Sequence, residues 1–197
     1  IPYIPVNGVY PEFDDSTINW WTNGFWGGIM WQMYHAEGNN KYQKEAISLE
    51  NRLEKAFDNF NLLDHDVGFL WLHTAVAHYR LTDDPTARKR GLRAAAVLAS
   101  RYCPAGEYIR AWNRPGLSQM IIDCVMNLPL LFWAADQGVG DHYRQTAIHH
   151  LDSVLRHILR EDGSCNHIVE FDEATGEVLA APGGQGYGEN SSWSRGQ

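Results

Sequence analysis

The sequence predicts an all-α protein in which helical hairpins form an α/α toroid around a central cavity. Two observations support this fold class. Helices that are apolar nearly all round alternate with amphipathic helices, and short connections join them. Such an alternation is expected when each hairpin has one inner and one outer helix. The chain has 197 residues, 44% of them hydrophobic and 20% charged, so we expect residues 1–197 to form a single globular domain.

The chain begins with an irregular segment and two helices. Residues 1–18 contain three prolines and show no helical period, which favours extended or irregular structure. From Asn19, the string WWTNGFWGGIMWQMYHAEG predicts a helix that ends at Gly38, a typical C-cap residue. Residues 41–60, KYQKEAISLENRLEKAFDNF, have apolar side chains at helical spacing with charges between them. They predict an amphipathic, outer helix.

The next hairpin repeats this order. Residues 67–81, VGFLWLHTAVAHYRL, are apolar on almost every side and predict a buried, inner helix. The following helix is amphipathic, and we expect Asp84 to be its N-cap and Pro85 its first helical residue. Residues 141–159, DHYRQTAIHHLDSVLRHIL, predict a further amphipathic helix after the second inner one.

The second inner helix is expected within residues 121–138, IIDCVMNLPLLFWAADQG. Pro129 favours a first helical turn, so this helix should start late or kink. After Arg160 the composition changes. The strings NHIVEF and EVLAA flank a turn near residues 174–176 and predict a small β-hairpin near residues 165–180.

Two aspartates are the most informative residues of the chain. Asp66, in LLDHDVGFLWL, and Asp123, in SQMIIDCVMNLPLLFW, are both surrounded by apolar sequence. Aspartate is rarely buried without a partner, and two carboxylates that share a site raise at least one pKa. A carboxyl group that keeps its proton near neutral pH can act as a general acid. Both residues precede or open an inner helix, so we expect them to meet at one end of the toroid.

Each aspartate also has a simpler interpretation. Asp64 or Asp66 could merely cap the helix that starts near Val67. A cap is less expected at Asp123, because Ile121 and Ile122 are predicted to be helical and buried already.

Composition excludes several classes of function. A net charge of −8 provides no basic patch for nucleic acid, and no apolar stretch approaches the roughly 20 residues of a membrane span. The three cysteines are odd in number and widely spaced, which favours free thiols in a reducing compartment and hence a cytoplasmic location. They lack zinc-site spacing, and GGQGYG lacks the Lys-Ser/Thr of a phosphate loop, so we expect no metal and no cofactor.

Aromatic and basic residues add candidates for ligand binding. The eight tryptophans either fill seams between helices or offer an apolar platform for a sugar ring. His65 and His167 are either satisfied core histidines or site residues. Arg195, next to Trp193 and after a glycine-rich loop, could bind a substrate carboxylate.

Several strings together resemble one family along nearly the whole chain. They are WTNGFWGG, LLDHDVGF, IIDCVMNLPLLFWA, CNHIV and GGQGYGENSSWSRGQ. This pattern resembles glycoside hydrolase family 88, the unsaturated glucuronyl hydrolases, which are six-hairpin (α/α)6 barrels.

The resemblance implies roles for individual residues. Asp123 would be the catalytic acid/base and Asp66 its carboxylate partner. By the resemblance, the substrate-binding residues would be His167, Gln185, Trp193 and Arg195. A tryptophan from the stretch Trp20 to Trp26 would stack on the uronate ring, and Trp20 and Trp26 are both candidates. We add His65, the neighbour of Asp66, as a further candidate. The implied substrate is an oligosaccharide with a Δ4,5-unsaturated uronic acid at its non-reducing end, and the implied reaction is hydration of the C4=C5 enol ether. Family barrels are about twice this length, so we expect the chain to be a fragment, roughly the N-terminal half.

Three alternatives remain open at this stage. An unsaturated rhamnogalacturonyl-type hydrolase would use the same barrel with a different leaving sugar. A sugar isomerase would need paired histidines in the cavity, whereas His149 and His150 lie on a predicted outer helix. A non-catalytic sugar-binding module would use the aromatic residues and not the carboxylates.

Overall fold

The structure, a computed structural model, describes residues 5–10 and 15–184. The chain divides into two compact units. The first comprises Ile1–Leu63 and Phe69–Arg93, and the second comprises Asp64–Gly68 and Ala94–Gln197. The expectation of one domain over residues 1–197 stays a prediction, and the two units are described separately below.

The first unit is built from helices. A short 3-10 turn precedes helix α1, and α1 and α2 form a hairpin joined at Gly38. The helices and turns, of which α3 and α5 extend into the second unit, are Asp15–Thr17 (3-10), α1 Thr22–Glu37, α2 Asn40–Leu53, Glu54–Leu62 (3-10), α3 Val67–Trp71, Leu72–Val76 (π-helical), α4 Ala77–Thr82 and α5 Pro85–Ala99.

A buried carboxylate ties the helices of the first unit together. The Glu50 side chain on α2 is fully buried. It accepts hydrogen bonds from Trp31 Nε1 at 2.8 Å and from Arg90 Nη1 at 3.4 Å, and His78 Nδ1 lies 3.0 Å away. Elements α1, α2, α4 and α5 therefore share one polar centre, beside an apolar cluster that includes Met30.

Local sequence signals place most helix ends of this unit correctly. Gly38 adopts the left-handed conformation with φ +66°, and its N–H donates to Tyr34 O at 2.8 Å. Asp84 accepts a hydrogen bond from Ala87 N at 2.8 Å, and α5 begins at Pro85. These two predictions are confirmed.

Two predicted helices differ internally from a regular α-helix. The helix predicted over residues 41–60 is α-helical only to Leu53 and continues as a 3-10 segment, with non-helical dihedrals at Asn59. The buried helix predicted over residues 67–81 contains the π-helical turn Leu72–Val76. Within that turn Thr74 Oγ1 donates to Leu70 O at 2.6 Å, a side-chain bond that competes with the backbone ladder.

The second unit combines helices with two small sheets. Strands β1 and β2 form an antiparallel pair, and β3, β4 and β5 form an antiparallel sheet in that order. Its elements after α5 are β1 Tyr102–Cys103, β2 Tyr108–Ile109, β3 Ser118–Ile121, Ile122–Met126 (3-10), α6 Pro129–Asp136, α7 His142–His157, β4 Ile168–Phe171 and β5 Val178–Ala180. The hairpin predicted near residues 165–180 is confirmed by β4 and β5.

One prediction for this unit is wrong. Ile121 is the last residue of β3, with φ −124° and ψ 146°, and Ile122 begins a 3-10 segment, although both are buried as expected. An apolar run such as SQMII suits a buried strand as well as a buried helix, and pairing with β4 decides the outcome. The helix itself starts late, at Pro129, as that proline indicated.

The core of the second unit lies between its helices and sheets. Fully buried side chains from α5, β2, β3, α6 and β4 form it. They are Leu98, Tyr108, Ile109, Met120, Leu130, Leu131 and Val169. In the described part of the chain, no helix combines the length and the apolar character that crossing a membrane requires.

Candidate active site

The two predicted aspartates, Asp66 and Asp123, both lie in the second unit. Asp66 lies in the turn that precedes helix α3. Asp64 Oδ1 accepts a hydrogen bond from the backbone N–H of Asp66 at 2.9 Å, and Asp64 O accepts from Val67 N. The turn that starts α3 therefore uses Asp64. Asp64 thus has a local structural role in the turn that precedes α3.

The position of Asp123 is set by the pairing of strand β3, which precedes it, with strand β4. Strand β3 pairs with β4 from Ser118 opposite Phe171 to Ile121 opposite Ile168. The register continues one residue further, because Ile122 N donates to His167 O at 3.1 Å. Asp123 then lies in the first turn of the 3-10 segment Ile122–Met126.

The two segments that bear these aspartates approach each other closely. A Cβ atom added at Gly68 would lie 2.3 Å from Asn127 Oδ1 and 2.6 Å from Asn127 Cα. Only glycine permits this approach between the start of α3 and the 3-10 segment of Asp123.

His65 lies between the two carboxylates. Its Nε2 is 3.3 Å from Asp66 Oδ1 and 3.4 Å from Asp123 Oδ1, both ion-pair distances. Its Nδ1 lies 2.9 Å from the carbonyl oxygen of Ala111. A carbonyl only accepts, so Nδ1 bears a proton and Nε2 faces the acids. Sequence reasoning treated His65 as a core histidine or a binding residue, and the structure places it inside the acid pair.

The three side chains differ in exposure. The side chain of His65 is 2% exposed, that of Asp66 17% and that of Asp123 36%. Asp123 is thus the acid that a ligand reaches most easily. Within residues 5–10 and 15–184, His65 Nε2, Asp66 Oδ1 and Asp123 Oδ1 have no partner in good hydrogen-bond geometry. Buried polar atoms of this kind are rare in folded proteins, and their concentration here indicates a functional site.

Burial and charge shift the proton affinities of the cluster. Burial raises the pKa of Asp66 to about 6, with the nearby His65 charge opposing the change and Asp64 and Asp123 adding to it. Burial by itself lowers the pKa of His65, but contacts with Asp123, Asp66 and Asp64 outweigh it and raise the pKa to about 9. At neutral pH His65 is therefore a cation, and Asp66 loses its proton close to that pH.

The same arrangement suits a proton more than a metal ion. Among the described residues, Asp64, His65 and Asp66 are the set whose possible ligand atoms lie within 4.8 Å of one another. A metal would have to displace the proton that the raised pKa keeps on His65 at neutral pH. Acids and a histidine in contact, one of them the partly exposed Asp123, are the groups that general acid–base chemistry uses.

Trp112 is a site residue that sequence reasoning missed. Its half-buried ring contacts the His65 ring edge-on, with centroids 5.7 Å apart. The guanidinium of Arg114 lies over the indole, 4.4 Å from its centroid. The available signal was a tryptophan followed by Asn113, Pro115 and Gly116, residues typical of an exposed turn.

The remaining predicted site residues fall in different places. The backbone of His167 pairs beside Asp123, and its Nδ1 accepts from Gly184 N at 3.1 Å. Trp20 and Trp26 belong to the first unit and are 41% and 43% exposed. A role for either ring as a platform for the sugar stays a prediction. Three predicted residues, Gln185, Trp193 and Arg195, lie outside the described residues.

The paired histidines of α7 do not have the environment that an isomerase site needs. His150 is fully buried, and its Nδ1 accepts from Ile109 N at 3.0 Å. Burial and the His65 charge lower the pKa of His150 to about 3, so its ring stays neutral. His149 Nδ1 lies 2.8 Å from the Tyr102 hydroxyl. Both rings thus serve local structure.

Comparisons with known proteins point in one direction. No protein-family model matches the chain. The unsaturated chondroitin disaccharide hydrolase of Streptococcus agalactiae serotype III (strain NEM316) is 36% identical over 198 residues, which cover 97% of this chain and 48% of that protein. The chain spans about half the length of the curated relatives it matches.

Solved structures agree with the sequence comparison. The crystal structure of the unsaturated glucuronyl hydrolase from Bacillus sp. GL1, responsible for the degradation of glycosaminoglycan, matches with a TM-score of 0.87 and 36% identity over 95% of this chain and 50% of that one. A mutant of the Streptococcus agalactiae enzyme complexed with dGlcA-GalNAc6S matches with a TM-score of 0.70 and 33% identity over 97% of this chain and 46% of that one. These matches confirm the predicted α/α-barrel fold class. Along nearly all of its length, this chain is similar in sequence and fold to about half of an unsaturated glucuronyl hydrolase.

Proposed function

We propose that this chain provides the acid–base centre of a glycoside hydrolase of the unsaturated glucuronyl hydrolase type. The proposed substrate is a lyase-generated oligosaccharide with a Δ4,5-unsaturated uronic acid at its non-reducing end. One observation carries the proposal. His65 lies between Asp66 and Asp123, with Asp123 the more exposed acid, in a chain similar over 97% of its length to an unsaturated chondroitin disaccharide hydrolase.

The chemistry requires one group that gives a proton and later accepts one. Protonated Asp123 would donate its proton to C4 of the enol ether, and a water molecule would add through its oxygen to C5. The proton that this water loses returns to the Asp123 carboxylate. The resulting hemiketal opens by cleavage of the C5–O5 bond, and the hemiacetal left at C1 then expels the remaining sugar. The anomeric carbon is not attacked, so carboxylate separation does not determine stereochemistry as in ordinary glycosidases.

The neighbours of Asp123 suit both proton donation to the substrate and proton acceptance from water. Cationic His65 stabilises the Asp123 carboxylate that forms after proton donation, because the two groups are 3.4 Å apart. Asp66, whose pKa is raised to about 6 by burial, keeps a second proton in the cluster under mildly acidic conditions. A shared proton of this kind belongs to the cluster as a whole. We therefore assign proton transfer to substrate to Asp123, and modulation of its charge to Asp66 and His65.

Binding of the sugar would use aromatic and cationic groups beside the acids. The half-buried ring of Trp112, adjacent to His65, offers an apolar face to a pyranose ring. By resemblance, His167, Gln185, Trp193 and Arg195 also contact the substrate, with Arg195 suited to the uronate carboxylate. No cofactor is part of this proposal.

We also propose a cytoplasmic location and a soluble oligosaccharide as the partner. The three cysteines of the chain, Cys103, Cys124 and Cys165, are all free thiols. Free thiols are typical of reducing compartments. The net charge of −8 gives no reason to expect nucleic acid as a partner.

Replacement of Asp123 by asparagine tests the proposed function. In the full-length protein, Asp123→Asn should lower turnover of an unsaturated disaccharide by at least about 100-fold, the contribution typical of general acid–base catalysis. Loss of the ultraviolet absorbance of the C4=C5 bond measures turnover, and circular dichroism checks the fold. Asp136→Asn, at an exposed acid on α6 that pairs with Arg144, is the matched control and should stay active. Near-normal turnover by Asp123→Asn would reject the assignment.

A substrate panel separates the remaining alternatives. Unsaturated disaccharides from chondroitin, hyaluronan, heparin and pectin would be compared under the same conditions. Preference for the pectin-derived sugar would favour the rhamnogalacturonyl-type reaction. Binding without turnover, unchanged when both Asp66 and Asp123 are replaced, would indicate a sugar-binding module.

A further inference from the structure

We propose that Arg101 is a positioning residue that holds Trp112 and His65 in register beside the acid pair. This inference rests on the proposed function, because Trp112 matters to activity only if a sugar binds next to the acids. Arg101 follows α5 and is 7% exposed, unusual burial for a charged side chain. Burying an unsupported charge is costly, so its hydrogen-bond partners explain why it is tolerated.

The guanidinium of Arg101 holds the segment on both sides of Trp112. Its Nε donates to Arg110 O at 2.8 Å, and its Nη2 donates to Ala111 O at 3.1 Å. Its Nη1 donates to Asn113 Oδ1 at 2.9 Å. Three contacts from one planar group therefore anchor residues 110, 111 and 113, and Trp112 lies between the anchored positions.

The Ala111 carbonyl links this anchor to the acid–base centre. Besides Arg101 Nη2, the same oxygen lies 2.9 Å from His65 Nδ1 and 3.1 Å from the His65 backbone nitrogen. Arg101 and His65 thus share one acceptor. A displacement of Ala111 would move Trp112 and would also change the orientation of the His65 ring between Asp66 and Asp123.

Only arginine can make this set of contacts. Its planar fork presents several donors in fixed directions, whereas lysine has one ammonium group on a flexible stem. Arg101→Lys keeps the positive charge and loses the fork. It therefore separates positioning from a general effect of charge.

The experiment measures two quantities, the fluorine resonance of Trp112 and the turnover of the substrate. The protein would be labelled with 5-fluorotryptophan, and Trp112→Phe would identify the Trp112 fluorine resonance. Arg101→Lys should shift or broaden that resonance and lower kcat/KM for an unsaturated chondroitin disaccharide by up to about 100-fold, as small misplacements in an active site can. Displacement of Trp112, the proposed sugar platform, should raise KM. Reorientation of His65 beside Asp123 should lower kcat. Arg156→Met, at an exposed arginine of the same unit that pairs with Glu107, should change neither readout.

Each result supports or overturns the proposal. A folded Arg101→Lys protein with an unmoved Trp112 resonance and with normal kcat and KM overturns the proposal, even if its thermal stability is reduced. If Arg101→Lys does not fold, Asn113→Ala, which removes a single contact of the fork, takes its place with the same two criteria. If the full-length parent protein fails to hydrolyse the disaccharide, the proposed function fails. The fluorine spectra then decide alone whether Arg101 positions Trp112.

Discussion

At His65, burial and charge act in opposite directions. Burial of a histidine disfavours its cation, but the carboxylates of Asp123, Asp66 and Asp64 reverse that preference and raise the pKa to about 9. The Ala111 carbonyl fixes the orientation of the ring through Nδ1. As a result the cluster contains one cation between two acids, and only the Asp123 carboxylate is substantially accessible.

The raised pKa of His65 predicts how stability depends on pH. A group whose folded-state pKa exceeds its unfolded value stabilises the protein below the unfolded pKa and loses that contribution as pH rises through the folded pKa. The free energy of unfolding should therefore fall between pH 6.5 and about 9, by on the order of 3 kcal/mol from His65. Urea unfolding of the parent protein and of His65→Gln, measured across this range, checks the expectation.

His65→Gln should remove most of this slope. His35→Gln, at an exposed position at the end of α1, is the control and should leave the slope unchanged. Parallel pH profiles for the parent protein and His65→Gln would contradict a charged His65.

At the scale of secondary-structure elements, the acid pair depends on one close approach. The start of α3 and the 3-10 segment Ile122–Met126 carry the two aspartates, and they meet where Gly68 touches Asn127. The π-helical turn after α3 and the late start of α6 at Pro129 both follow directly after these segments. Irregular backbone of this kind is frequent near functional sites.

Gly68→Ala tests the importance of that approach. The new methyl group would overlap the Asn127 backbone, so we expect a loss of about 1–3 kcal/mol in stability, typical of overpacking, and reduced turnover because Asp66 and Asp123 separate. Urea midpoints and the absorbance assay measure the two effects. Gly28→Ala, whose nearest new contact is the His73 Cβ at 3.0 Å, should cost less. A Gly68→Ala protein as stable and active as its parent would show that the approach is not required.

At the scale of the whole molecule, each compact unit has its own buried polar centre. In the second unit this is the His65 cluster with the Arg101 fork. In the first unit it is Glu50, whose carboxylate meets Trp31, His78 and Arg90. Breaking such a buried ionic network leaves uncompensated charges inside the protein.

Glu50→Ala should therefore destabilise the first unit strongly. We expect a loss of about 3–5 kcal/mol, the cost typical of removing one partner from a buried ion pair. Denaturant unfolding gives the magnitude, and hydrogen exchange should show the loss of protection in residues 15–63 and 69–93. Glu45→Ala, at an exposed position on the same helix, should change stability by no more than about 0.5 kcal/mol. Equal stability of the two variants would disprove a structural role for the Glu50 network.

The helix ends and the β4–β5 hairpin could be predicted from the sequence because the signals for them are local. Gly38 and the Asp84–Pro85 pair act within one turn of the chain, and the strings NHIVEF and EVLAA lie on either side of a short turn. Strand β3 could not be predicted from the sequence, because Ser118–Ile121 has no alternating pattern and its partner β4 lies far along the chain. An apolar run is compatible with either secondary structure until a partner strand decides between them.

The same division applies to the candidate site. Residue type and order along the chain were enough to single out Asp66 and Asp123 and to reveal the resemblance to unsaturated glucuronyl hydrolases, because charged residues in apolar surroundings are conspicuous in any sequence. Only the folded structure shows that Asp123 is the more exposed acid and that His65 lies between Asp66 and Asp123. It also shows that Arg101 and His65 contact the same Ala111 carbonyl, next to Trp112. Exposure, pKa and hydrogen-bond partners depend on distances between segments remote in the chain, and chain packing sets those distances.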